Sequence, residues 1–260
     1  MGILNVTPDS FSDGGRYLDP RRAIEVGQTM AAAGADIIDV GGESTRPGAP
    51  PMPPDQEQAR VLPVIRGLAA TGARVSIDTR NAATMAAALD AGAAIVNDVS
   101  ALAHDAASAA VVAARGCPVV LMHMRGDPAT MNARAVYTDI AREVVAELAG
   151  RISAAEAAGI ARDAIAIDPG IGFAKLAPHS LELLRRLAEL QVLGRPILIG
   201  VSRKSFIGRI GDEPDPQRRL PGSVAAGLFA LSRGAHILRV HDVAETVQAI
   251  RLWSALTQPA

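Results

Sequence analysis

The sequence has one cysteine, Cys117, which excludes an internal disulfide framework and suits a reducing compartment. Aromatic residues make up only 3% of the chain, too few for the stacking platforms that hold single-stranded nucleic acid. An excess of either charge is missing too. Lys and Arg total 26 against 27 for Asp and Glu, a net charge of -1, so no global field recruits nucleic acid or a membrane surface. An anionic ligand therefore has to be caught by local residues. No apolar run reaches the roughly 18 residues of a membrane span, and no basic stretch followed by an apolar one opens the chain as a signal peptide would. A soluble cytoplasmic protein is expected. CxxC, HExxH and clustered histidines are all absent, which argues against a zinc centre. GGESTRPG has no Lys and GIGFAK lacks the spacing of a dinucleotide fingerprint, so neither common phosphate loop is present.

What the chain does have is a regular alternation. Its 260 residues are 49% hydrophobic, enough to bury one sizeable core. Short runs rich in Ile, Val and Leu fall at 2–6, 35–40, 74–79, 94–99, 118–124, 164–169, 196–202 and 236–241. Ala-rich stretches of helical period lie between them, at 20–33, 55–71, 81–91, 106–115, 137–158, 180–191 and 217–233, with a last one at 242–257. Gly34, Gly72, Gly92, Gly116, Gly159 and Gly234 stand where helices should close. Eight strands alternating with eight helices over about 250 residues is the count of a (β/α)8 TIM barrel in a single domain, chosen here over a doubly wound sheet. RPGAPPMPPD (46–55) follows the second strand directly and reads as a stiffened loop, not a linker.

In such barrels chemistry collects at the carboxyl ends of the strands. Those ends carry Asn5, Asp39, Asp78, Asn97 with Asp98, His123, Asp168, Ser202 followed by Arg203 and Lys204, then Arg239 and His241. A purely structural barrel has no need of so polar a rim. Asp78, Asn97 and Asp168 at one mouth suit a heterocycle whose edge offers ring N–H, amino and carbonyl groups. Lys204, Arg239 and His241 follow strands 7 and 8, where barrels often bind phosphate, and Arg239 presents a planar fork for it. The competing role for Arg239 is an ion pair with Asp98 or Asp242. Asn5 beside that basic group is a candidate oxygen ligand for Mg²⁺, an ion commonly held by one or two protein oxygens and substrate phosphates. The long loops NVTPDSFSDGG and GGESTRPGA, over the same face, read as lids.

Together, MGILNVTPDSFSDGG, DIIDVGGESTRPGA, SIDT, NDVS, MHMRGDP, IDPGIGFAK, GVSRKSFIG and RVHDV, in this order, resemble the dihydropteroate synthases of folate biosynthesis, a pterin-binding family. The resemblance implies a (β/α)8 barrel and a transferase that joins 6-hydroxymethyl-7,8-dihydropterin pyrophosphate to p-aminobenzoate. It implies a pterin pocket of Asp78, Asn97, Met122, Asp168 and Lys204, and a pyrophosphate site of Asn5, Arg239 and His241, with Asn5 also on Mg²⁺. It further implies an aminobenzoate site of Thr45, Arg46, Phe173, Lys204 and Ser205, closed by Asp13 of the first loop, and a homodimer. The barrel and pocket are shared by pterin-binding methyltransferase domains, and a catalytically silent paralogue would look similar. Among the departures from the family, its hairpin ahead of the position of Met1 is expected to be absent, its usual GFGKT reads GFAKL here, and the helix after strand 7 is expected only from about Gln217, after the acidic GDEPDP.

Overall fold

The computed structural model describes residues 1–7, 19–43, 52–127 and 129–257. Among them the aliphatic runs become eight strands: β1 (Gly2–Asn5), β2 (Ile38–Gly41), β3 (Val75–Asp78), β4 (Ile95–Asp98), β5 (Val119–Met122), β6 (Ile165–Asp168), β7 (Leu198–Ile199) and β8 (Ile237–Leu238). All pair in parallel, β1 to β6 in sequence order as one sheet and β7 with β8 as a second. Two single bridges join these pieces into a ring. Ile167 pairs with Ile197 and Gly2 with Val240. Backbone bonds support both seams: the Ile167 amide donates to Pro196 O at 2.9 Å, the Ile3 amide to Val240 O at 2.8 Å, and the Val240 amide to Met1 O at 2.9 Å. Every strand thus has two neighbours and no edge is left to solvent, which is the closed barrel expected from the strand count.

Register separates the two faces of the barrel wall. Val40, Ile77 and Val96 stand level on neighbouring strands, as do Asp98, Leu121 and Ile167. Ile77, Val96, Leu121 and Ile167 are completely buried in the layer between strands and helices. Because side chains alternate, the residues one step along face the barrel axis instead. That places Asp39, Asp78, Asn97 and Arg239 inside, close to the carboxyl end.

The helices are α1 (Pro20–Ala32), α2 (Pro54–Ala69), α3 (Ala82–Asp90), α4 (Ser108–Arg115), α5 (Ile140–Ala157), α6 (Ala177–Arg185), α7 (Ser205–Ile210), α8 (Leu220–Ser232) and α9 (Val243–Thr257). Asp19 and Asp139 cap α1 and α5 by accepting from the Arg21 and Arg142 amides. All six glycines expected to close helices have positive φ. No described helix is long and apolar enough to cross a membrane.

Two helical expectations are corrected. The stretch 180–191 starts earlier and divides into α6 and a 3-10 turn, Leu187–Leu193. Leu187 and Leu190 both bury there, and a spacing of three keeps them on one face of the tighter turn. The helix α7 was not expected, because six residues are too few for a helical period to show; it forms because Phe206 and Ile207 find the core. With Ile77 wholly buried in β3, Ile77→Ala should lower the unfolding free energy by about 2–5 kcal/mol in denaturant melts.

Candidate active site

The carboxyl mouth is organised by charges facing one another across the barrel. Arg239, just past β8, donates from Nε to Asp39 Oδ2 at 2.6 Å and from Nη2 to Asp78 Oδ2 at 2.7 Å. Asn97 on β4 donates from Nδ2 to the same Asp39 oxygen at 3.0 Å. One carboxylate of β2 therefore ties together groups from β4 and β8. The other oxygen of Asp39, Oδ1, is buried with no hydrogen-bond partner. The competing partners considered for Arg239 are engaged elsewhere: Asp242 with Arg203, and Asp98 with the Ser100 and Leu102 amides and the Ser100 hydroxyl. Asp98 follows Asn97 in the strand, so alternation turns it away from the axis and into its own loop.

Asp168 ends β6 and is buried, its Oδ1 accepting from the Gly170 amide at 2.7 Å. Burial raises its pKa, with the Lys204 ammonium pulling the other way. Lys204 is lowered to about 8, again by burial, while Asp168 favours its charged form. Burial pushes Asp78 up to about 7 against the attraction of Arg239. These shifts mark groups whose charge is poised for a partner, as in sites built to recognise a polar ligand.

Lys204 precedes α7 and reaches back to the β6 loop. Its Nζ donates to Ile171 O and lies 4.4 Å from the centroid of the Phe173 ring. Ser205 is exposed as the first residue of α7. Met122, the last residue of β5, is buried beside Gly170, whose added Cβ would fall 3.4 Å from its Cγ. His241 lies beyond β8 with Nδ1 3.0 Å from Ser202 Oγ. Asn5 ends β1 with its side chain exposed. Asp13, Thr45 and Arg46 lie outside the described residues.

The donor set can be tested for Mg²⁺. No group of three or more His, Cys, Asp or Glu residues able to hold a metal exists among the described residues. A single exposed amide oxygen, that of Asn5, fits an ion that keeps most of its waters and takes further oxygens from a phosphate ligand.

Residues 1–241 match the family model described as "Pterin binding enzyme". A dihydropteroate synthase of Escherichia coli (strain K12) is 45% identical over 256 residues, which cover 98% of this chain and 90% of that protein. The chain belongs to the dihydropteroate synthase family of pterin-binding enzymes. A 48% identical Haloferax volcanii protein, "Probable bifunctional folylpolyglutamate synthase/dihydropteroate synthase", is much longer: this chain spans 30% of it. Among solved structures, Xanthomonas albilineans dihydropteroate synthase with 4-aminobenzoic acid superposes with a TM-score of 0.93 at 47% identity, covering 99% of this chain and 93% of that one. Its complex with 7,8-dihydropteroate gives 0.90 at 44% identity, with the same coverages.

Several residues around this mouth carry no role that their position in the sequence reveals. Asp39 was visible as a strand-end carboxylate, but nothing linear tied it to Arg239, 200 residues away. Glu57 of α2 is fully buried and its Oε2 accepts from Thr79 Oγ1, Asn81 Nδ2 and Thr84 Oγ1 at 3.0, 2.9 and 2.7 Å. It thereby fixes the segment that leaves β3 after Asp78. Arg80 pairs with Glu43 through two bonds, 3.0 and 2.8 Å, at the exit of β2. Lys175, buried in the β6 loop, also went without a role.

The family's GFGKT reads GFAKL here, and its second Gly position is Ala174 with φ 48°. A Cβ is disfavoured in this left-handed region. Ala174→Gly should therefore raise the unfolding free energy by about 1 kcal/mol; an unchanged or lowered melting temperature would contradict this account of the loop.

Proposed function

We infer that the chain is a dihydropteroate synthase, joining 6-hydroxymethyl-7,8-dihydropterin pyrophosphate to p-aminobenzoate and releasing pyrophosphate and 7,8-dihydropteroate. The observation that carries the residue assignments is the set Asp78, Asn97, Asp168, Lys204 and Arg239 around one barrel mouth, linked by the bonds through Asp39 and the Lys204 charge beside Asp168.

Bond breaking is the harder half of this reaction. The C–O bond between the pterin methylene and the pyrophosphate breaks with its electron pair leaving on oxygen, and the electron-rich dihydropterin spreads the positive charge left behind. The neutral arylamine nitrogen then forms the C–N bond and gives up one proton. The enzyme's task is to hold the two partners in line and to stabilise charge that develops on the leaving group.

Asp78, Asn97 and Asp168 take the pterin edge, with Lys204 beside Asp168 and Met122 as the apolar wall. The Asp168 carboxylate favours positive charge on the ring. Arg239 and His241 receive the pyrophosphate, which requires the guanidinium to exchange part of its contact with Asp78 and Asp39 for phosphate oxygens. Asn5 would offer its amide oxygen to Mg²⁺, an ion that would supply further positive charge at the pyrophosphate when bound. Phe173, Lys204 and Ser205, with Thr45 and Arg46, form the aminobenzoate side. Closure over the site with Asp13 excludes water that would trap the cation as an alcohol.

The same reading includes a cytoplasmic setting, in keeping with the single free, buried Cys117, and a homodimer. Leu252 and Leu256 of α9 are 63% and 76% exposed, an apolar pair that a second subunit would cover.

The decisive assay follows pyrophosphate release from dihydropterin pyrophosphate with p-aminobenzoate and Mg²⁺. Release that depends on both substrates is expected, and none at saturating substrates would defeat the reading; methyl transfer instead would favour the methyltransferase alternative. Asp168→Asn and Lys204→Ala should each lower turnover by about 100-fold or more, as expected for groups that act on the developing charge; wild-type rates would remove them from the site. Activity should also fall as pH rises through about 8, where Lys204 loses its proton. Lys204→Arg, in whatever activity it retains, should lack that limb, because a guanidinium stays charged.

A further inference from the structure

MHMRGDP and the Lys of GFAKL supply a polar chain that none of the roles above uses. His123 follows β5 and is buried, and it stands between a carboxylate and an amine. Its Nε2 is 3.0 Å from Glu147 Oε2 on α5, and its Nδ1 is 2.8 Å from Lys175 Nζ. Lys175 Nζ also donates to Phe173 O at 3.0 Å and to His123 O at 3.4 Å. Glu147 is held in turn by Arg125, which also reaches Glu143 at 2.7 Å and lies 4.1 Å over the Tyr137 ring.

The direction of each bond follows from what the groups can do. An ionised carboxylate only accepts, and the hydrogen bonds that Glu147 takes from His123 and from Arg125 pull it down to about 2. His123 Nε2 must therefore carry the proton, which leaves Nδ1 as a lone pair for Lys175. Burial lowers the His123 pKa, in agreement with a neutral ring. The chain runs from the surface carboxylate through the imidazole to the Lys175 amine, which burial lowers to about 7 and which donates in either protonation state, and ends on the carbonyl of Phe173.

That carbonyl belongs to an irregular loop, anchored near its start by the Gly170 amide on Asp168. Gly170 packs so tightly on His123 that an added Cβ would lie 2.0 Å from the His123 carbonyl oxygen. Gly170, Gly172 and Ala174 all have positive φ. Lys175 ties this irregular path back to the end of β5, and the same loop offers Ile171 O and the Phe173 ring to Lys204.

We propose that Lys175, oriented by His123 and Glu147, is a positioning residue that sets the Phe173 wall of the aminobenzoate site. The proposal rests on the synthase reading above. It sharpens that reading by separating the two substrates: the pterin residues of β3 and β4 are held by Asp39 and Glu57, whereas the aminobenzoate wall depends on this second chain. Lys175 touches no reacting atom in this role.

The test is a pair of kinetic constants for Lys175→Met and Glu147→Ala, with Glu147→Gln as the conservative variant. Lys175→Met should raise KM for p-aminobenzoate about tenfold while KM for dihydropterin pyrophosphate stays within about twofold, as for a displaced wall that faces one substrate. Glu147→Ala, a surface change that leaves the core packing intact, should move the same constant in the same direction by less, and Glu147→Gln should restore it. Equal changes in both constants, or none, would overturn the proposal. If Lys175→Met does not fold, the two Glu147 variants decide it. Independently of turnover, ¹⁵N NMR of the wild-type protein should show His123 as the neutral Nε2–H tautomer, changing in Lys175→Met; an Nδ1–H tautomer would also overturn it. A wild-type protein that releases no pyrophosphate would defeat the synthase reading instead, and the NMR result would still judge the chain.

Discussion

A single guanidinium holds the mouth of this barrel together. Arg239 bonds Asp39 and Asp78, partners 200 and 161 residues away in sequence, and Asp39 in turn takes Asn97. Buried charges of this kind add little net stability, because desolvation offsets much of the attraction, but removing one partner is costly. Their value lies in arrangement. Four strands converge on one polar cluster whose members cannot be moved separately, and a ligand that takes Arg239 must replace what Asp39 and Asp78 provide.

The barrel makes that cluster possible by spending its apolar residues elsewhere. Val40, Ile77, Val96, Leu121 and Ile167 fill the layer against the helices, and the alternate positions are released to face the axis. The two single bridges, Gly2 with Val240 and Ile167 with Ile197, are sparse for seams, yet they close the ring and bring Arg239 opposite β2 and β3. Ile77→Ala and Ala174→Gly probe the two regimes, a well-packed layer where removal costs stability and a strained loop where removal of a methyl restores it.

Much of this was open to reading from the chain alone. The alternation of Ile-Val-Leu runs with Ala-rich stretches announced the barrel, because parallel strands covered by helices must be apolar in this way. Asp78, Asn97, Asp168 and Lys204 announced themselves as polar residues ending apolar runs. What could not be read were partners. The sequence offers Arg239 both Asp98 and Asp242, each near a strand end, but side-chain alternation points Asp98 outward and Arg203 takes Asp242. Lys175 carried no signal beyond being a Lys in a Gly-rich turn, since its meaning depends on His123 and Glu147, 52 and 28 positions upstream.

The sequence by itself determined the fold and the identity of the polar rim, because these follow from periodicity and from residue types at strand ends, and its ordered motifs carried the resemblance to the family. Tertiary structure decided how the rim is wired: which carboxylate Arg239 takes, which of Asn97 and Asp98 faces the axis, and that a chain from Glu147 reaches Phe173. The reason is physical. Hydrophobic pattern is a local property that survives in one dimension, whereas hydrogen bonds and ion pairs form between atoms a few ångströms apart, and only the closed barrel sets those distances.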